Sequence, residues 1–310
     1  QVDSRVLPAS NSAALASKII SDRFPGQEGN PIEIIVPNGA TMGTQINQYT
    51  NEIAQVPGIV RIGDSQVSGN DVRVTAIHSM GPRTPAAEVL IKDIRKIRAP
   101  EGTLIGGVAA DYADTQIGIA KTMPWALLWI AIGVLILLFV FTGSIILPIK
   151  AIILNILSLG ATLGVITWIF VDGHLKWLVG DFTVTGSVDT GSIILVAVVA
   201  FGLSMDYEVF LLSRIKEEHD AGRSNIESVA TGLQRSARII TAAAGLLAIV
   251  FASFMLSGVT SIKMLGFGVA FAILLDASLV RALLVPALMR LFGERNWWAP
   301  KAMKRFTINH

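Results

Sequence analysis

The stretch Ser192-Ile-Ile-Leu-Val-Ala-Val-Val-Ala-Phe-Gly-Leu-Ser-Met-Asp206-Tyr207-Glu208-Val-Phe-Leu-Leu-Ser213 decides how this chain folds. It has the length that carries a helix across a bilayer, roughly 20 mostly apolar residues, and yet it holds Asp206. A carboxylate at such depth costs about 2.5 kcal/mol or more to insert, so it usually faces a bundle interior or a water-filled path and often carries protons or ions. Asp206 is therefore expected to face inward, and the segment to be more than an anchor.

Working outward, the composition agrees. Apolar residues make up 52% of the 310 and charged residues only 15%, far from the balance of a soluble domain. The pattern is that of an integral membrane protein. A net charge of +2 gives no reason to expect nucleic acid as a partner. The absence of cysteine removes disulfides, thiolate nucleophiles and thiolate metal sites together, and the four histidines form no zinc motif. No Gly-rich loop ends in Lys-Ser or Lys-Thr, so no nucleotide site and no cofactor is expected.

Residues 1–120 read as a water-soluble domain, whereas long apolar segments dominate 121–291. Five spans are expected, near 124–144, 148–170, 192–213, 239–257 and 264–291. Arg214, Lys216, Arg223, Arg235 and Arg238 follow the third span, and Arg290, Arg295, Lys301, Lys304 and Arg305 lie at the end, while the alternate loops carry only Lys176 and Lys263. Retained positive charge marks the cytoplasmic side. The reading is thus an extracytoplasmic N-terminal domain and a cytoplasmic tail at 292–310, with Trp297-Trp298 suited to an interfacial belt. Residues 1–25 show no export signal, so a preceding transmembrane helix is expected beyond this sequence.

In the soluble part, helices are expected from Ser10 to about Arg23, Thr41 to Ala54 and Pro85 to Ile97. Strands are expected at 32–36, 59–62, 72–77 and 103–107. Asn38-Gly39, Pro57-Gly58 and Gly81-Pro82 punctuate the transitions. The resulting β-α-β-β-α-β order predicts an α+β ferredoxin-like split fold. Between the third and fourth spans, Ser224-Asn-Ile-Glu227 is a capping box followed by Ile226, Val229, Ala230 and Leu233 on one face. A separate amphipathic elbow helix near 224–236 is expected, either gripping anionic headgroups through Arg223, Arg235 and Arg238 or setting the angle between two spans.

The string Gly202-Leu-Ser-Met-Asp206-Tyr207-Glu208-Val-Phe-Leu-Leu-Ser-Arg214 resembles the MMPL (mycobacterial membrane protein large) transporters of the RND superfamily. The likeness continues through Leu275-Asp276-Ala-Ser-Leu-Val-Arg281-Ala-Leu-Leu-Val-Pro286, the ending Phe292-Gly293-Glu-Arg-Asn-Trp297-Trp298, and Leu7-Pro8 with Phe24-Pro25-Gly26. It implies a twelve-helix transporter of two halves, each with one helix, a porter-like domain and five more helices, of which this chain is similar to the C-terminal half. It also implies that Asp206 and Tyr207, on the tenth helix, face an equivalent pair on the fourth and relay protons with it. The partners implied are the N-terminal half, membrane lipids and a lipid or amphiphile cargo, with homo-oligomerisation open.

Physical reasoning points Asp206 the same way, since a buried carboxylate can gain and lose one proton near neutrality. Tyr207 is expected to supply a hydroxyl. Asp276 is expected either to join the relay or to receive a hydrogen bond from Ser278 or another helix. Arg281, five residues on and so not ideally on one helix face, is read as a structural counter-charge that need not bind Asp276. Ser204 and Asn155 extend a polar path or serve as interhelical glue, and Glu208 is placed to pair with Arg214. Gly202, Gly245, Gly266 and Gly268 are expected at close helix contacts, and Pro286 at a kink. The expected function is proton-driven export of lipids or other amphiphiles across the inner (plasma) membrane. The alternative is an RND-like sensor or accessory subunit that binds lipid without moving it. With no nucleophile and base in view, an enzyme is not expected.

Overall fold

The computed structural model describes residues 7–8, 10–23, 30–81, 83–182, 184 and 189–300, and the chain divides into two compact units between Trp125 and Ala126. Phe24-Pro25-Gly26 and the end of the tail, 301–310, lie outside the described residues.

In the first unit, helix α1 (Ser12–Arg23) precedes strand β1 (Ile32–Val36), which buries Ile32, Ile34 and Val36 and turns Glu33 and Ile35 outward, the period of two expected of a half-covered strand. Helix α2 (Gly43–Ala54), strands β2 (Ile59–Ile62), β3 (Gln66–Ser68) and β4 (Asp71–His78), helix α3 (Pro85–Ile94) and strand β5 (Leu104–Gly106) follow. The sheet runs β2-β4-β1-β5 and is antiparallel throughout. This is the split β-α-β-β-α-β arrangement. Its core joins the inward residues of β1 and β4 to Ile46, Tyr49 and Ile53 of α2 and Leu90, Ile91 and Ile94 of α3. On the other face Arg73 grips Glu33 with two bonds, at 2.7 and 2.8 Å, and the guanidinium holds the Glu33 carboxyl below the usual carboxylate range. Strand β3, absent from the sequence reading, is a three-residue polar edge joined to β4 through Gly69, whose φ of +60° suits a tight hairpin.

Five helical segments among the described residues are long and apolar enough to cross a membrane. They are α4 (Val108–Thr142), α5 (Ile146–Phe170), α7 (Thr190–Asp220), α8 (Asn225–Ser253) and a composite last segment running from Thr260 to Trp297, with a short α6 (Lys176–Val179) between α5 and α7. The chain is a multi-pass membrane protein. The helix that holds the first span begins at Val108, sixteen residues before Pro124, and runs through that proline. One expectation is corrected here. The elbow is not a separate helix: Ser224 caps α8 with a complete capping box, and the helix then continues unbroken to Ser253. The residues between 236 and 239, Ala237 and Arg238, contain no helix breaker, so nothing stops the helix the box starts.

The last segment changes pitch three times. Helix α9 (Thr260–Leu275) passes into a π-helical stretch, Asp276–Leu284, before α10 (Val285–Phe292) and a 3₁₀ turn at Gly293–Trp297. The widened turns lie directly before Pro286, which has no N–H to bond backward and whose ring crowds the preceding turn. Gly266 and Gly268 let α9 approach α8 and α5, since a Cβ at either would stand 2.6 Å from Phe251 O or Ile166 Cδ1. Gly202 and Gly245, expected in the same role, have open space instead.

Candidate functional site

Helix α7 buries Ser204, Glu208, Leu211, Leu212 and Ile215 along one face. At 100° per residue Asp206 stands about 200° from Ser204, and it is exposed on the surface of this chain. Asp206 thus points away from the face of α7 that packs within this unit. The buried carboxylates of the spanning helices belong to Asp276, Glu208 and Glu218, 6%, 7% and 5% exposed.

Asp276 and Arg281 bind each other, contrary to the expectation from α-helical spacing. In an α-helix five residues separate two side chains by about 140°. The i→i+5 winding of the π stretch returns the fifth residue over the first. Arg281 Nη2 lies 2.5 Å from Asp276 Oδ2, with both side chains buried. Ser204 Oγ donates to the other carboxylate oxygen, Oδ1, at 2.9 Å. Arg281 Nη2 also donates to the Ser204 carbonyl at 2.5 Å, so α7 and the π stretch are clamped through both the side chain and the backbone of Ser204. Tyr207 completes the group with its ring, the guanidinium lying 5.1 Å from the ring centroid. Of the two donors considered for Asp276, Ser278 or another helix, the other helix supplies it through Ser204, while Ser278 donates to Leu274 O at 2.5 Å.

The remaining expected partners are arranged differently. Arg214 pairs with Glu217 at 2.8 Å and not with Glu208. Asn155 is buried with its amide nitrogen unpartnered among the described residues, so that nitrogen serves neither the polar path nor the interhelical bond considered for it. Arg223 and Arg235, read as gripping headgroups or as part of an elbow between two spans, both engage Glu218, Arg223 at 3.0 Å. Trp297 stacks on His219 at 4.2 Å and donates to Asn225 Oδ1 at 3.1 Å.

Two functional candidates were not singled out by the sequence. Lys150, in the second turn of α5, donates to Asn296 Oδ1 and lies 4.9 Å from the Phe292 ring centroid. Asn296 is fully buried and binds Met289 O and Gly293 O at 2.6 Å each. A lysine near the start of a span reads as a loop charge, and only the fold shows it turned into the bundle.

Comparison with known proteins follows this geometry. The sequence model of the MMPL family matches residues 5–308. The chain belongs to the MMPL family. A putative membrane protein of Streptomyces coelicolor is 37% identical over 98% of the chain, which spans 42% of that relative. The trehalose monomycolate exporter MmpL3 of Mycobacterium tuberculosis is 34% identical over 98% of the chain and 34% of its own length. The mycolic acid-containing lipids exporter MmpL11 of Mycolicibacterium smegmatis is 32% identical over 89% of the chain and 30% of its own length. This MMPL chain thus covers between about a third and two fifths of the relatives it matches.

Proposed function

We propose that this chain acts as one half of a proton-driven exporter of lipids or other amphiphiles in the inner (plasma) membrane. The observation that carries the reading is the Asp276–Arg281–Ser204 clamp buried within membrane-spanning helices, with Tyr207 packed on it and Asp206 beside Tyr207. Lipid as cargo rests on the relatives named as lipid exporters.

Asp206 is the proton-binding group of this reading. An intramembrane carboxylate is too costly to leave against lipid tails, and on this chain it is exposed. The other half of the transporter covers it, presenting its own Asp-Tyr pair. Tyr207 sits between Asp206 and Arg281, so a proton gained or lost at Asp206 changes the field on a guanidinium that ties α7 to the last span. Such a tie biases one packing of the bundle over another only through the difference in free energy between them, which the changing charge supplies. Asp276 takes part by holding or releasing Arg281. The end of the bundle carrying Arg214, Arg223 and Arg235 faces the cytoplasm and the sheet domain faces outward, by the distribution of positive charge.

The test is reconstitution with the other half in vesicles, following lipid movement under an imposed pH gradient. Wild type is expected to move lipid with the gradient, and Asp206→Asn to lose that movement while staying folded. Movement retained in Asp206→Asn removes Asp206 from the relay. Lipid binding without movement in either protein favours a sensor or accessory subunit.

A further inference from the structure

Two buried acids among the described residues lie outside the clamp, and of these Glu218 is held by Arg223 and Arg235 while Glu208 is not held by any such pair. Glu208 lies four residues beyond Ser204 on the same face of α7, about 6 Å further along the axis, toward the end that carries Arg214. No hydrogen bond or ion pair among the described residues takes up its carboxylate, whereas both oxygens of Asp276 are engaged. Glu208 lines a small cleft with Lys150 of α5, between Leu147, Leu212, Val285 and Met289, with room for about one water molecule. Its charged neighbours are Arg281, Asp276 and Lys150, and on its own helix Asp206 and Tyr207 precede it directly.

The cleft lies at the basic end. Ser144 Oγ donates to Asn296 O, Ile145 N donates to Trp298 O at 3.2 Å, and Asn225 Nδ2 donates to Met289 O at 2.9 Å. These bonds draw the start of α5, the start of α8 and the residues after α10 together around Lys150 and Asn296.

We infer that Glu208 is the group through which protons pass between the relay and the solution at the basic end, with Lys150, held by Asn296, positioning its charge. This rests on the proton-coupled reading above. In each cycle the Glu208 carboxyl gives its proton to water in the cleft. The carboxylate left behind is balanced by Lys150 and Arg281, and the next proton arrives from the Asp206–Tyr207 side. A carboxylate that only held helices together would be expected to be tied up by hydrogen bonds, as Asp276 is. An acid left without partners and open to a cleft is suited to exchange.

The experiment uses the transporter assembled with its other half in vesicles, with lipid movement measured while the pH at the basic face alone is varied. In wild type the rate is expected to rise with that pH, because release becomes easier. Glu208→Gln is expected to slow driven movement by about tenfold or more and to flatten this dependence, while gradient-independent lipid binding is kept. Glu208→Asp is expected to restore the dependence in part. Lys150→Met is expected to move the midpoint to higher pH, since removing a cation beside an acid makes protonation easier. A Glu208→Gln protein as fast as wild type at every pH overturns the inference. Should that variant fail to fold, an unmoved midpoint in Lys150→Met overturns it. If Asp206→Asn also transports normally, the proton-coupled reading itself has failed, a result separate from either of these.

Discussion

Removing Arg281 strands a buried charge, and the size of the loss tests how the two helices are held. In Arg281→Met the chain length is kept while the ion pair at 2.5 Å and the bond to the Ser204 carbonyl disappear. Asp276 is then a carboxylate 6% exposed with only Ser204 Oγ for a partner. Breaking a buried pair from one side costs about 3–5 kcal/mol, because the survivor has neither water nor counter-charge. The Tyr207 contact adds to the loss without being separable from it. For a unit of this size each kcal/mol moves the melting midpoint by about 2–4 °C, so a fall of roughly 6–20 °C is expected. Asp276→Asn combined with Arg281→Met removes both charges and is expected to recover most of the loss, since a buried pair contributes little net against neutral replacements. The deficit of Arg281→Met alone is expected to shrink as pH falls, because protonation removes the stranded charge. The assay is thermal unfolding of the purified protein in detergent at one scan rate, with the two single variants and the double variant forming a cycle. Single variants each costing under about 1 kcal/mol, or effects that simply add, would refute the clamp.

Two further substitutions probe the packing. Gly232→Ala places a Cβ 2.9 Å from Ile215 Cα and N, and backbone atoms cannot give way. It is expected to destabilise by up to about 2 kcal/mol, the overpacking cost of roughly 1–3 being offset by a propensity gain of about 1. Gly245→Ala on the same helix meets nothing within 4 Å and is expected to stabilise, so equal melting shifts in the two variants would contradict this. In the N-terminal unit, His78 is fully buried with Nε2 3.1 Å from Asn30 O, and burial pushes its imidazole below the ordinary value of 6.5. A histidine lowered in this way contributes stability that is fully present above its unfolded value and is lost as pH falls through the folded one. Acid unfolding of the sheet domain is therefore expected to begin at higher pH in wild type than in His78→Gln, measured by circular dichroism on a pH series.

What the sequence made legible were features that repeat along one element. The alternation of Ile32, Ile34 and Val36 marked β1, and long apolar runs marked all five spans, because burial acts on every turn or every second residue. Features set by a change of phase were hidden. Asp276 and Arg281 were assigned to different helix faces because the α-helical rule was applied across a stretch that winds as a π-helix. Pro286 was visible but was read as a kink. Lys150 and Asn296 were hidden for another reason. Each becomes part of the bundle only when the starts of α5 and α8 and the residues after α10 converge, and no local pattern encodes that convergence. Insertion cost says that the Asp206 carboxylate must be covered without saying which chain covers it, so its exposure on this chain was not legible.

Helical geometry accounts for why Asp206, Tyr207 and Glu208 stand in succession instead of sharing a face. Successive helical residues turn by 100°, so 206, 207 and 208 address three surroundings over about 200°. Glu208 points into the cleft beside Lys150. Tyr207 lies against the guanidinium of Arg281, and Asp206 is presented on the outer surface of the unit. Spaced at i and i+4, the same residues would have crowded one side of α7, where two carboxylates disfavour each other's ionisation. Set side by side in sequence, they place one acid on each of two faces with an aromatic ring between them. The guanidinium of Arg281 touches that ring and holds Asp276, so the charge of the last span is fixed close to Tyr207 and Glu208.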